Sequence, residues 1–417
     1  MSRPAPAICL ITPGHLASTP RLVKNADALA AAGYRVHVVA GRNFVPAERL
    51  DTEVLAAAKW SHTLINHRRG AGAAARKICR RLARWLLATV PAKSVRLAAR
   101  AHHAEALHLA RVAARQPAQL YFGHCLAGLP AAAFAAGARG VAYGFDAEDF
   151  HDAETIGLAE DRVEAAARHR LQSRLLPGSA LFTTASPLIS RQYEISYGAK
   201  PQTLLNVFPL AQAPAAPVDP GPVSETRPAR LYWFSQTIGP GRGLEAAIAV
   251  LGRMRTPTEL HLRGFVAGDY RARLESLAAT AGRAGALRFL APAPPAEMVH
   301  LAADADLGLS LEETRPLNRD LCLTNKVFAY LMAGVPQLLS NTTAQRNLAP
   351  ELGAAAQLVD PGAVDATARQ LDVFLADSAR VAVARRAAWD LARRRYCWEI
   401  EQRDLLDAIR RLVGPPT

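Results

Sequence analysis

Two series of short apolar runs, each run alternating with a stretch of helical spacing, dominate this chain, and a proline-rich segment separates them. The first series has runs at 7–12, 35–40, 119–122, 140–145, 180–184 and 203–207. The second has runs at 230–235, 259–264, 287–290, 306–311, 335–340 and 356–359. Strand-length apolar runs between helical patterns predict α/β domains with doubly wound parallel sheets covered by helices. Between residues 206 and 228 lie six prolines among many alanines. Each proline fixes φ and lacks a donor, so a linker is expected there. The expected organisation is a Rossmann-like domain over 1–205, a linker over 206–228, a second Rossmann-like domain over 229–395 and a C-terminal segment over 396–417. The tail, 378–412, reads as helical and rich in Arg and Ala. Two such domains imply a cleft, with ligands at the carboxyl ends of the strands.

Half of the 417 residues are apolar, enough for a full core. No stretch reaches the roughly 18 uninterrupted apolar residues a spanning helix needs. The first ten residues lack the charged-then-apolar pattern of a signal peptide. Cys9, Cys79, Cys125, Cys322 and Cys397 are scattered without a CxxC pair, which argues against a disulfide framework and for a reducing cytoplasm.

The net charge of +14 is concentrated. Residues 59–115 hold 13 Lys and Arg against the single acid Glu105. Within that segment, 74–90 predicts a helix with Ile78, Leu82, Trp85, Leu86 and Thr89 along one stripe. Arg76, Lys77, Arg80, Arg81 and Arg84 lie mainly elsewhere around it. A basic amphipathic helix with a tryptophan suits an anionic membrane surface. Packing of its stripe on its own domain is the plainer alternative. No RNA-binding aromatic signature or zinc-finger spacing accompanies the charge, so nucleic acid is not an expected partner.

In the first half, the run 7–12 leads into Pro13-Gly14-His15 and then Thr19-Pro20, a predicted helix entry with Thr as N-cap and Pro at the first helical position. Leu22, Ala26 and Leu29 share one face, and Gly33 ends the helix. Further on, the segment 145–152 follows a predicted strand and carries Asp146, Glu148, Asp149, His151 and Asp152. Glu148 and His151 are candidates to orient an acceptor or move a proton. His124 lies at another strand end.

In the second half, Gly239-Pro240-Gly241-Arg242-Gly243-Leu244-Glu245 follows the first strand and precedes a helix. Its glycines let backbone approach a ligand, and Arg242 can grip phosphate oxygens with a fork of donors. The GK[ST] ending of a Walker loop is absent, and so is a GxGxxG fingerprint. Asn325-Lys326 opens a second helix at a matching loop-to-helix junction, with Thr324-Asn325 as candidate caps. A lysine there opposes the macrodipole unless an anion sits beside it. Arg242 and Lys326 are thus expected to bracket a diphosphate. Glu312 and Glu313 follow the strand 306–311, where a carboxylate can accept from sugar hydroxyls.

Together these segments resemble the GT-B nucleotide-sugar glycosyltransferases, and among them the large retaining family usually numbered four. Thr12-Pro13-Gly14 with Thr19-Pro20-Arg21, Ala28-Leu29 and Gly33-Tyr34-Arg35-Val36 looks like its glycine loop, first helix and second strand. Leu129-Pro130-Ala131-Ala132 and Asp146-Ala147-Glu148-Asp149 look like its central N-domain segment. Gly241-Arg242-Gly243-Leu244-Glu245 is similar to its first donor loop. Asn325-Lys326-Val327-Phe328-Ala329-Tyr330-Leu331 with Gly334-Val335-Pro336 matches its donor helix, and Tyr396-Cys397-Trp398-Glu399 is similar to the start of its last helix.

The resemblance implies two facing domains, with the last helix returning to the N-terminal one. It implies a nucleoside-diphosphate sugar bound by Gly241, Arg242, Gly243, Asn325 and Lys326, with Gly14 letting the N-terminal loop approach the transferring sugar. Glu312, Glu313, Glu148 and His151 are the candidate catalytic groups. Transfer would go to a saccharide or lipid-linked acceptor, without metal or other cofactor. The expected place is the cytoplasm, peripherally on the inner face of the cell membrane. Two departures stand out: Ala329 occupies the position of a ribose-holding glutamate, and Glu148 that of a common histidine. Ala329 keeps open a second reading, a GT-B sugar-nucleotide-binding or scaffold protein with little catalysis; nucleotide-sugar epimerisation is a third. Base, sugar, acceptor, linkage and oligomeric state are not legible.

Overall fold

A computed structural model describes residues 4–68, 70–89, 94–154 and 162–416. Contacts divide the chain into two units, one of Met1–Leu204 with Gln402–Thr417 and the other of Leu205–Glu401.

The first unit runs β1 (Ala7–Thr12), α1 (Pro20–Ala31), β2 (Arg35–Arg42), α2 (Val45–Ala57), β3 (Ser61–Asn66), α3 (Ala71–Thr89), α4 (Val95–His102), α5 (Ala106–Ala113), β4 (Leu120–His124), α6 (Gly128–Arg139), β5 (Ala142–Glu148), α7 (Arg162–Leu175), β6 (Leu181–Thr184), α8 (Pro187–Tyr197) and β7 (Gln202–Thr203). Its strands pair in parallel in the order β3-β2-β1-β4-β5-β6-β7. Strands such as AICLIT are buried throughout, as an interior parallel strand requires. Alanines of α5 and α6 let those helices lie close against Cys9, Ile11, Val39 and Tyr121.

The second unit runs β8 (Ala229–Ile238), α9 (Leu244–Arg253), β9 (Thr258–Val266), α10 (Tyr270–Thr280), β10 (Leu287–Leu290), α11 (Met298–Ala302), β11 (Leu307–Ser310), α12 (Leu317–Leu321), α13 (Asn325–Ala333), β12 (Gln337–Ser340), α14 (Thr343–Leu352), β13 (Ala356–Val359), α15 (Val364–Ala376), α16 (Ser378–Arg394) and the start of α17 (Trp398–Val413). Its parallel order is β10-β9-β8-β11-β12-β13. In both units the winding reverses beside the first strand, between β1 and β4 and between β8 and β11. An open α/β sheet leaves a crevice at that reversal.

Three expectations change. Strand β3 lies inside a segment that the sequence marked only as basic. It is a sheet edge with exposed residues, and His37 of β2 reaches Ser61 and Thr63 across the pair. The run at 203–207 contributes only the two-residue β7. The helical tail is broken at Arg395–Cys397, where Cys397 bridges to Phe208 and Trp398 N–H donates to the Phe208 carbonyl. From Gln402 onward α17 belongs to the first unit, and Tyr34 donates to the Gly414 carbonyl there.

Candidate functional site

In the second unit, the loop after β8 carries Gly241, Arg242 and Gly243, and the loop after β11 carries Glu312 and Glu313. These are the two strands that flank the reversal. Gly243 has φ +71°, and a Cβ there would lie 2.9 Å from the Leu311 Cβ. Only glycine lets the two loops close on each other. Gly241, also at positive φ, lies beside the Glu313 carboxylate.

Lys326 sits in the first turn of α13 and is only 3% exposed. Its Nζ donates to Glu312 Oε1 at 2.7 Å and lies 5.5 Å from the centre of the Trp233 ring. Arg319 of α12 donates to the other oxygen, Glu312 Oε2, at 2.9 Å. The Glu312 amide donates to Ser340, which bonds Gln345, whose amide reaches back to the Ser310 carbonyl. The carboxylate is thus held by side chain and backbone alike. Burial alone would raise its pKa, but Lys326, Arg319 and Arg242 together hold it below the usual carboxylate range. Arg242 and Lys326 therefore act on one point. Two cations, Lys326 and Arg319, bond one buried carboxylate at the amino end of a nine-residue helix, and Arg242 acts on it through its charge.

Thr324 is the N-cap of α13, but its side chain makes no bond to the first turn, and its Oγ1 is buried without a hydrogen-bond partner. Thr19 likewise does not cap α1; its hydroxyl donates to the His15 carbonyl and lies 3.2 Å from the Thr12 hydroxyl. Ala329 is fully buried within α13. Glu313 is exposed, and Asn325 is half-buried.

In the first unit, Gly14 is anchored by bonds to Thr12 and Gly41. His15 donates from Nδ1 to Asp51 and accepts at Nε2 from the Asn43 and Phe44 amides. Those partners fix its tautomer and make it a structural strut for the Gly14 loop. Asp146 is fully buried. It takes two bonds from Arg21, at 2.8 and 2.7 Å, and one from Thr183, with His124 at 3.1 Å. Burial would raise its pKa, yet these partners hold it far below the usual range.

Cys125 and Glu148, at the ends of β4 and β5, are the two described non-glycine residues with positive φ, +58° and +57°. Such conformations in non-glycine residues concentrate at functional positions. Burial pushes the Glu148 carboxyl up to about 7, with Asp149 and Asp146 adding to the rise and Arg21 and Lys24 opposing it. His151 is buried; its Nδ1 lies 2.6 Å from Glu154, and its Nε2 lacks a hydrogen-bond partner. Burial would lower its pKa, but Glu154 raises it.

The structure thus brings Gly241, Arg242, Gly243, Glu312 and Lys326 together in the second unit. Glu148 and His151 lie within the first unit's acidic segment, and Gly14 lies on that unit's β1–α1 loop. Sequence reasoning missed Arg319 and Trp233. Arg319 lies on a five-residue helix with no motif around it, so only the fold could reveal it.

Compared with models of protein families, the chain matches none, and no curated protein sequence matches it. Solved structures do match. One is Anabaena Alr3699/HepE in complex with UDP and glucose, at 15% identity and TM-score 0.69, covering 97% of this chain and 100% of that one. Another is sucrose-phosphate synthase from Thermosynechococcus elongatus, at 14% identity and TM-score 0.66, covering 98% and 99%. A third is WaaG, a glycosyltransferase involved in lipopolysaccharide biosynthesis, at 15% identity and TM-score 0.60, covering 98% and 99%. At such identities the likeness shows the fold: this is the GT-B fold, with two Rossmann-like doubly wound parallel sheets.

Proposed function

We propose that this chain is a glycosyltransferase that moves a sugar from a nucleoside-diphosphate donor to a saccharide or lipid-linked acceptor, with retention and without metal or other cofactor. The observation that carries the reading is the pairing of Lys326 and Arg319 on the buried Glu312 at the reversal of the second sheet, beside the glycine loop that carries Arg242. A diphosphate placed there meets three cations and the amino end of α13. When the bond from the anomeric carbon to the diphosphate oxygen breaks, its electron pair stays on the diphosphate. The cations stabilise that developing charge. Glu312 keeps Lys326 positioned, as a buried ammonium without a partner would be costly.

HepE was solved with UDP and with UDP-glucose, which supports a uridine nucleotide sugar as the first donor to try. In the first unit, Glu148 titrates near neutral pH at a strand end and is the candidate to take or orient the acceptor proton; His151 lies near it in sequence. The acceptor side is read as facing the inner surface of the cell membrane, with the protein held peripherally in the cytoplasm.

The test uses purified protein with a panel of UDP-, GDP- and dTDP-sugars, measured by thermal shift and nucleotide release. At least one donor should raise Tm. That shift should vanish in the double variant Lys326→Met with Glu312→Gln, which removes the buried ammonium and its carboxylate together and leaves the partly exposed Arg319 facing a neutral amide, and weaken in Arg242→Ala. No shift with any donor refutes the donor site. Ala329 supports the second reading, a sugar-nucleotide-binding protein with little catalysis; donor binding with no transfer to any acceptor would favour it.

A further inference from the structure

Helix α3 is built inside out. It contains no acid. Its inner side is formed by the buried Ala73 and Ala83 with the half-buried Arg76, Arg80, Arg84 and Leu87, all at helical spacing. Those arginines are engaged at home. Arg76 pairs with buried Glu105, Arg80 donates to the Ala101 carbonyl at 3.1 Å, and Arg84 donates to Glu164 at 3.1 Å. The opposite side carries Ile78, Leu82, Trp85 and Leu86, which are 57, 56, 62 and 37% exposed. A helix on a water-facing surface does the reverse, turning its apolar stripe to the core. Rolling α3 to hide the stripe would break the Arg76–Glu105 and Arg84–Glu164 pairs and leave Arg168 on Glu164 and His67 beside Glu105, so these pairs favour the apolar side outward.

Lys77 and Arg81 are exposed along one border of that side. The patch is therefore apolar at its centre, cationic at its margin and free of acids. A tryptophan is its most exposed member, and that residue type favours the boundary between lipid headgroups and acyl chains. A second copy of the chain would bring a patch with the same two cations and no acid of its own helix against this one, so like charge opposes that pairing. No described helix is long and apolar enough to cross a membrane.

We infer that the outward side of α3 lies in the surface of a lipid bilayer, with Ile78, Leu82, Trp85 and Leu86 among the outer acyl carbons and Lys77 and Arg81 at headgroup phosphates. This gives the proposed membrane placement a definite surface and rests on that placement, not on the donor site. It also changes the source of the affinity. Three of the helix's arginines are spent on the protein itself, so apolar insertion leads and the two remaining cations add a preference for anionic lipid.

The test is co-sedimentation of the full chain with vesicles of phosphatidylcholine alone and with phosphatidylglycerol added. The protein should bind both, and the anionic vesicles more tightly by about fivefold for each outward cation. Lys77→Gln with Arg81→Gln should remove that preference and leave binding to the neutral vesicles. Ile78→Ser, Leu82→Ser, Trp85→Ser and Leu86→Ser combined should weaken binding to both by about a hundredfold or more. In Trp85→Phe the blue shift of tryptophan emission on adding vesicles should disappear. The inference is overturned if the fourfold variant binds vesicles as well as the parent. It is equally overturned if the parent ignores vesicles, or instead forms a dimer that the fourfold variant dissolves. A donor-induced thermal shift retained in the fourfold variant shows that it folds and keeps this outcome separate from the fate of the donor site.

Discussion

Each unit buries a carboxylate at the carboxyl end of its sheet, Asp146 on β5 and Glu312 after β11, and the two are answered differently. In the first, Asp146 is closed by one arginine, a threonine and a nearby histidine, and Arg21 spends a further N–H on the Leu204 carbonyl. In the second, Glu312 draws on Lys326, Arg319 and Arg242, three positive charges for one negative. The first arrangement ties α1 to β5, β6 and the Leu204 carbonyl, with His124 at the end of β4 beside it. The second gathers side-chain donors from two helices, α12 and α13, on one carboxylate beside the glycine loop that carries Arg242. The two clusters differ in where their partners come from, and the proposed donor site draws on the second.

The largest expected effect tests the first cluster. Asp146→Ala should cost about 3–5 kcal/mol of stability, because it strands a buried guanidinium. Urea denaturation reads this, and donor affinity of the folded fraction should be unchanged. A donor loss as large as the stability loss would erase the distinction between the two clusters.

Next, Lys326→Met with Glu312→Gln should keep most of the stability that Lys326→Ala alone loses, yet raise the barrier to nucleotide release by about 2.7–4 kcal/mol, the usual cost of removing one charge-stabilising group. Turnover with the preferred donor checks it.

The two units should also respond to pH in opposite senses. Glu148 holds its proton more tightly folded than unfolded, with a folded pKa of about 7 against 4.5. Its contribution is complete below pH 4.5 and is lost as pH rises through 7, by about 3 kcal/mol in all. Glu312 is depressed, so its contribution is present above 4.5 and is lost as pH falls below that. Urea midpoints between pH 4.5 and 8 for the parent and for Glu148→Gln test this; the variant should lose the decline on the alkaline side.

The smallest effect should come from Arg319→Ala. Glu312 keeps Lys326, so stability should change by less than about 1 kcal/mol, whereas donor affinity should fall by about tenfold, consistent with one charge-assisted hydrogen bond. Isothermal titration measures it. Unchanged affinity would reduce the anion site to Lys326 and Arg242.

The alternation of strands and helices was legible because parallel interior strands are apolar throughout, and the loops holding Arg242 and Lys326 were legible because glycine and a helix-opening lysine carry local signals. What stayed hidden was set by distant partners. Strand β3 alternates with polar residues at an edge and offers no apolar run. Arg319 acquires meaning only through Glu312, and the direction of α3 only through Glu164, 80 residues away from Arg84. Composition announced that the helix was basic; it could not say that the arginines face inward. The caps expected of Thr19 and Thr324 failed for a related reason, since a hydroxyl takes whichever partner packing brings nearest.

Position 308 deserves a last look in this light. Gly308 lies under the ring of Tyr330, where any Cβ would collide with the aromatic carbons, and the Tyr330 hydroxyl is in turn latched to the Tyr232 and Leu309 carbonyls. The seat of α13 on the sheet is therefore set by a hydrogen atom. A single methyl there would press on the ring and shift α13, and with it Lys326, weakening the proposed donor site without altering Arg242, Arg319 or Lys326 themselves.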